Sequence, residues 1–203
     1  YGGTQVVLQA RIVTPATRGP AAAARTPAPH RTGLEPGLLG HAWPLPAALR
    51  RAIRDFIVRR DASLTVIAGY PWFLDWGRDT LICLRGIVAA ELLEEAREIL
   101  LQFARFEDGG TLPNMIRGED DSNRDTSDAP LWFLVACADL LETRLGRGLL
   151  DSDCRGRTLR EVALSIGRWY LRGTRNGIYV DPDSGLVFSP AHFTWMDTNH
   201  PAG

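Results

Sequence analysis

The 203 residues carry 23 basic against 24 acidic side chains, a formal charge of -1, and 45% hydrophobic residues, enough to bury one sizeable core or two small ones. That balance leaves no excess of positive charge for a nucleic-acid backbone or an anionic membrane surface, and a neutral, polar partner suits it better. Every basic residue is Arg and none is Lys, which excludes Schiff-base chemistry and any phosphate-loop lysine.

The first stretch with strand character is QVVLQARIV at 5–13, read as the tail of a preceding β-rich region within residues 1–13. Residues 14–45 follow without apolar periodicity and with frequent Pro, Ala and Gly, the composition of a linker. The pattern changes at Pro46, where a domain over 46–203 begins: Leu49, Ile53, Phe56 and Ile57 recur at helical spacing opposite arginines, predicting an amphipathic helix over 46–60. Further helices are predicted at about 79–90, 92–106, 128–145 and 158–172, with segments rich in Gly, Asp, Asn and Pro between them. Residues 177–188, GIYVDPDSGLVF, read as a β-hairpin or extended loop. The chain is thus all-α, built from helical hairpins with little strand.

Cys83, Cys137 and Cys154 are odd in number and lack metal-ligand spacing, and two of them lie in apolar helical runs, which fits a reducing cytoplasm. There is no basic-then-apolar leader, no apolar run near the roughly twenty residues of a bilayer span, and a start at Tyr1 that suggests a missing upstream part. Four isolated histidines without a His-x-x-x-His pair argue against zinc, and neither a nucleophile elbow nor a phosphate loop is present. No cofactor is expected.

The chemistry-bearing residues lie in the loops. AGYPWFLDWGRDT at 68–80 interleaves Trp72 and Trp76 with Asp75, Arg78 and Asp79. A sugar site needs that mixture, because pyranose faces lie on aromatic rings while hydroxyls seek carboxylates and guanidinium donors. The plainer alternative is that the tryptophans are core and Asp79 caps the next helix. A second cluster holds Asn114 and the acidic run to Asp128, where Asp128 stands at a helix start before Pro130 and Trp132. The run lacks the spacing and the terminal Glu of a calcium-binding hand. The third is FTWMDTN at 193–199, where Asp197 sits beside Trp195 and Met196. Glycoside hydrolysis generally needs one carboxylic acid to protonate the leaving oxygen and a second carboxylate, and Asp197 is the candidate acid; a turn-closing Asp is the alternative.

Taken together and in order, AGYPWFLDWGRDT, LPN at 112–114, DTSDAPLWF at 125–133, YLRGTRNGIYVDPDSGLV at 170–187 and TWMDTN at 194–199 resemble the amylo-α-1,6-glucosidase domain of glycogen debranching enzymes over about 46–203. The resemblance implies an (α/α)6 toroid, here incomplete, with its site where the helix-connecting loops gather. It implies Asp197 as general acid and Arg78 with Asp79 holding hydroxyls of a terminal glucose. Trp72, Trp76, Asp75, Asn114, Asp128 and Trp195 would line the same pocket. The implied substrate is branched α-glucan, hydrolysed at α-1,6 branch points with inversion. The chain departs from the family in residues 14–46, in the TNHPAG that follows TWMD, and in stopping at Gly203 before the distal Glu that relatives use as base, so the chain alone is expected to be inactive and prone to aggregate. A glucoamylase- or trehalase-like hydrolase of the same fold and a non-catalytic glucan-binding module are the alternatives.

Overall fold

A computed structural model describes residues 45–70 and 73–196. The strand expected over 5–13, the linker up to residue 44, Trp72 and Asp197 lie outside the described residues. In chain order the elements are α1 (Leu45–Phe56), β1 (Ile57–Arg60), β2 (Ser63–Val66), β3 (Asp75–Trp76), α2 (Gly77–Ala89), α3 (Leu93–Ala104), β4 (Met115–Ile116), α4 (Ala129–Leu141), a 3-10 turn (Leu149–Asp151), α5 (Leu159–Arg172), β5 (Tyr179–Val180) and β6 (Val187–Phe188). The described residues are mostly helical, with small antiparallel two-stranded sheets β1–β2, β3–β4 and β5–β6. No helix among them is long and apolar enough to cross a membrane.

The helix expected over 46–60 is corrected: it ends at Phe56, and residues 57–60 form the first strand of a hairpin. Ile57 pairs with Val66 and Arg60 with Ser63, around a turn in which Asp61 takes φ 52°. β-Branched Ile57, Val58, Thr65 and Val66 favour the pleated surface, and that preference overrides a helical spacing that continues only by coincidence. Leu49 and Phe56, assigned to the apolar face of α1, are 54% and 43% exposed, and Ile53 is the residue of that face that packs on the core. The end of α1 is held instead by Tyr70, whose hydroxyl donates to the Asp55 carbonyl at 2.6 Å and whose ring lies 5.9 Å from that of Phe56.

The core is supplied by one stripe from each of the other helices: Leu81, Leu84 and Ile87 of α2; Ala96, Ile99, Leu100 and Phe103 of α3; Phe133, Ala136, Cys137 and Leu140 of α4; Leu159, Val162, Ile166 and Tyr170 of α5. These positions recur at three and four, the spacing that keeps a stripe on one side of a helix. Burial pushes the Cys137 thiol up to about 12, so it acts as a small apolar group. α5 begins with a capping box, in which Thr158 Oγ1 accepts from the Glu161 amide at 3.2 Å and the Glu161 carboxylate accepts from the Thr158 amide at 2.7 Å. α4 starts differently: Asp128 occupies the cap position without capping, and Thr126 Oγ1 accepts from the Ala129 amide at 3.3 Å, which releases the Asp128 carboxylate for another partner.

Phe133 is fully buried within this core. Replacing it by Ala removes its contacts and leaves a void, so chemical denaturation of Phe133→Ala should show a loss of about 3–5 kcal/mol. A loss below about 1 kcal/mol would place the ring outside the load-sharing core.

Candidate active site

The site is built where α2 begins. β3 runs directly into α2 and pairs with β4, matching Asp75 to Ile116 and Trp76 to Met115. This lays the segment 112–116 across the helix start, and the Gly77 amide donates to the Asn114 carbonyl at 2.9 Å. A Cβ at Gly77 would lie 2.1 Å from the Pro113 carbonyl oxygen, so the approach requires glycine. The next residue, Arg78, therefore leaves a backbone clamped from both sides.

Arg78 is 5% exposed and carries the principal electrostatic contact of the site. Its Nε–H is shared between Asp128 Oδ1 at 2.8 Å and Oδ2 at 2.7 Å, and Nη2 donates to the Phe193 carbonyl at 3.3 Å. Thr126 Oγ1 adds a donor to Asp128 Oδ1 at 2.8 Å. The Phe193 carbonyl also accepts from the Ser127 amide at 2.7 Å and from Ser127 Oγ at 3.1 Å. Behind it, the Tyr170 hydroxyl of α5 donates to the Ser127 carbonyl at 2.6 Å; burial, with the Asp128 charge, raises that phenol well above its ordinary range and keeps it a donor. Segments distant in sequence thus meet at one guanidinium and one carbonyl.

Beside this node lies a cavity of about 540 Å³. Arg78 and Asp79 in the first turn of α2 contribute its charge; Ile82 and Ile87 farther along α2, Phe56 and Val66 contribute aliphatic and aromatic wall, and Trp195 also lines it. That volume falls in the range of small-ligand sites, which combine apolar walls with a few placed polar groups. Among the described residues, neither Asp79 nor the Nη1 amino group of Arg78 has a hydrogen-bond partner.

The sequence-predicted residues separate into distinct positions. Arg78, Asp79 and Trp195 share the cavity, and Asp128 holds Arg78 from behind. Asn114 is 7% exposed, contributes its backbone to the Gly77 clamp, and has the buried Oδ1 that lacks a partner among the described residues. Trp76 is half-buried at the N-terminus of α2. Asp75 is occupied elsewhere: Arg60 grips it through Nε to Oδ2 and through Nη2 to Oδ1 at 2.6 Å, and Thr65 Oγ1 donates to it at 3.2 Å. Sequence reasoning missed Arg60, Thr126, Ser127 and Tyr170. Their partners lie up to 66 residues away, and although Thr126, Ser127 and Tyr170 fall within motifs of the resemblance, nothing in those motifs assigned them a role.

The Asp75 and Arg60 side chains are 4% and 15% exposed. Asp75→Asn should therefore strand a buried guanidinium and lower the stability measured by urea unfolding by about 3–5 kcal/mol. An unchanged midpoint would show that the pair is dispensable.

Comparison with known proteins gives one positive finding. The family model described as Amylo-alpha-1,6-glucosidase matches residues 51–202, a span that includes every described side chain of the cavity. A search of curated proteins finds no match. On a family match that spans most of its 203 residues, the chain belongs to the amylo-alpha-1,6-glucosidase family.

Proposed function

We propose that this chain forms part of a glycoside hydrolase that removes α-1,6-linked glucose from the branch points of a glycogen-like limit dextrin in the cytoplasm, on an (α/α)6 scaffold whose helical hairpins begin near residue 46. The observation that carries this reading is the cavity that gathers Arg78, Asp79 and Trp195, members of two motifs more than a hundred residues apart. A terminal glucose seated there has its hydroxyls bonded by the Arg78 Nη1 donors and the Asp79 carboxylate, with Trp195 against an apolar face of the ring. Trp72 completes the pocket wall in this reading, while Asp128 supports it through Arg78, Asn114 through the Gly77 clamp and Trp76 through the start of α2; Asp75, engaged by Arg60, serves the scaffold rather than the sugar.

Asp197 is the general acid in this reading. It follows Trp195 by two residues, a chain reach of at most about 7 Å from a residue that lines the cavity. Protonation of the glycosidic oxygen by its carboxyl lets the bond to the anomeric carbon break, while a second carboxylate activates water on the opposite face and inverts the configuration. Arg78 is suited to hold the sugar because Asp128 and the Phe193 carbonyl already fix its guanidinium; little ordering entropy remains to be lost on binding.

The test uses the full-length protein and a branched limit dextrin. Asp197→Asn should lower kcat about 10²- to 10⁴-fold while glucan binding stays within a few-fold of the parent. Full turnover in the Asn variant removes Asp197 from the chemistry, and release of glucose from trehalose but not from limit dextrin reassigns the substrate. Arg78→Lys should raise KM and lower kcat together, because a point ammonium cannot at once bond Asp128 as Nε does, bond the Phe193 carbonyl as Nη2 does and present a further donor to the sugar.

A further inference from the structure

A second cleft, of about 200 Å³, lies on α5 and is lined by Ser165, Arg168, Trp169 and Arg172. None of these residues lines the cavity of Arg78, and the proposed hydrolysis uses none of them. They sit at spacings of three and four along α5, so they occupy one side of the helix.

The cleft is built from behind. The turn that follows α3 places Gly109 and Gly110 at φ 56° and 80° against the indole of Trp169. A Cβ at Gly110 would lie 2.3 Å from the Trp169 Cβ, so this turn admits the tryptophan only because it is glycine there. The same turn is pinned by Glu107, whose carboxylate is wholly buried and accepts from the Gly110 amide at 2.8 Å, from Ser165 Oγ at 2.9 Å and from Arg157. One side of Trp169 is thereby packed, and the residue contributes to a cleft on the helix surface.

The charge around the cleft is unbalanced. Glu107 is paired with Arg157, and Asp108 with Arg175 at 3.5 Å. Arg168 and Arg172 are exposed, and among the described residues neither has a hydrogen-bond or ion-pair partner. Two like charges four residues apart repel. The helix dipole favours Arg172 in the last turn of α5 but does less for Arg168 one turn earlier. Among the described residues no carboxylate lines the cleft to receive the hydroxyls of a neutral sugar, while two adjacent guanidiniums match a dianion and an indole matches the apolar face of a pyranose. The volume is below the roughly 300–1,000 Å³ of pockets that engulf a ligand, so the cleft holds one end of a molecule against the surface.

We propose that this cleft binds a phosphorylated sugar, with the phosphate between Arg168 and Arg172 and the ring on Trp169. The phosphate monoester comes either from a free hexose phosphate or from a phosphorylated residue of a glucan. Titration calorimetry on the full-length protein with glucose 6-phosphate should show saturable binding, weakened about tenfold or more in Arg168→Gln/Arg172→Gln with an unchanged far-ultraviolet spectrum. If the double variant does not fold, the single Arg172→Gln should still show a smaller loss in the same direction. A phosphorylated maltotriose that binds tighter than glucose 6-phosphate supports the site and assigns it to glucan-borne phosphate; equal binding supports it and assigns the free ester. Absence of saturable binding, inorganic phosphate binding as tightly as the sugar phosphate, or an unchanged affinity in the folded variant overturns the proposal. Each of those results leaves the glucosidase reading standing, since Asp197 and Arg78 are untouched.

Discussion

The Arg78 guanidinium, shared with Asp128 and the Phe193 carbonyl, is the contact on which the arrangement of the site depends. Two opposite charges whose side chains are 7% and 23% exposed interact in a medium less polar than water, and removing either strands the other. The contact reaches beyond its own pair: the same carbonyl is gripped by the Ser127 amide and hydroxyl, and Ser127 is in turn held by Tyr170 from α5. The start of α2, the approach to α4, the body of α5 and the segment carrying Trp195 are therefore fixed against one another by polar groups that would be costly to leave unpaired.

Around that node the loops follow a common plan. Helix interiors meet through Leu, Ile, Phe and Ala, and the buried charges sit where loops join them: Asp75 with Arg60 beside the β1–β2 hairpin, and Glu107 with Arg157 after α3. A buried ion pair contributes little net stability compared with apolar packing, but it tolerates few alternative geometries. Glycines make the closest approaches possible, Gly77 under Pro113 and Gly110 under Trp169. Apolar packing thus supplies cohesion, while paired charges and glycines set the positions of the loops that carry function.

This division explains what the sequence made legible. The helices α2 to α5 were readable because their buried residues recur with the helical period, and the 177–188 hairpin because Gly and Asp separate two short β-prone runs. The β1–β2 hairpin was lost because Ile57 continues the spacing of Ile53 at an interval a helix also uses. In the site, interleaved aromatics and charges marked Arg78, Asp79 and Trp195, which the fold brings to one cavity. Asp75 and Arg78 stand three residues apart in one motif, yet Arg60 engages one while the other lines the cavity. Motif membership records neither the partner nor the direction of a side chain; that information lies in contacts such as Ser127 with Phe193, separated by 66 residues.

Family membership, the cavity and the fixed guanidinium together support a site that holds the end of an α-glucan while an acid reaches the bond beyond it. The most direct measurement is a crystal structure of the full-length protein soaked with a short α-1,6-branched oligosaccharide. The account requires a terminal glucose in the cavity, Arg78 Nη1 and Asp79 on its hydroxyls, and the Asp197 carboxyl about 2.6–3.2 Å from the bridging oxygen or one water away. A sugar seated outside the Arg78 cavity, or inside it with Asp197 turned from the glycosidic bond, would contradict it.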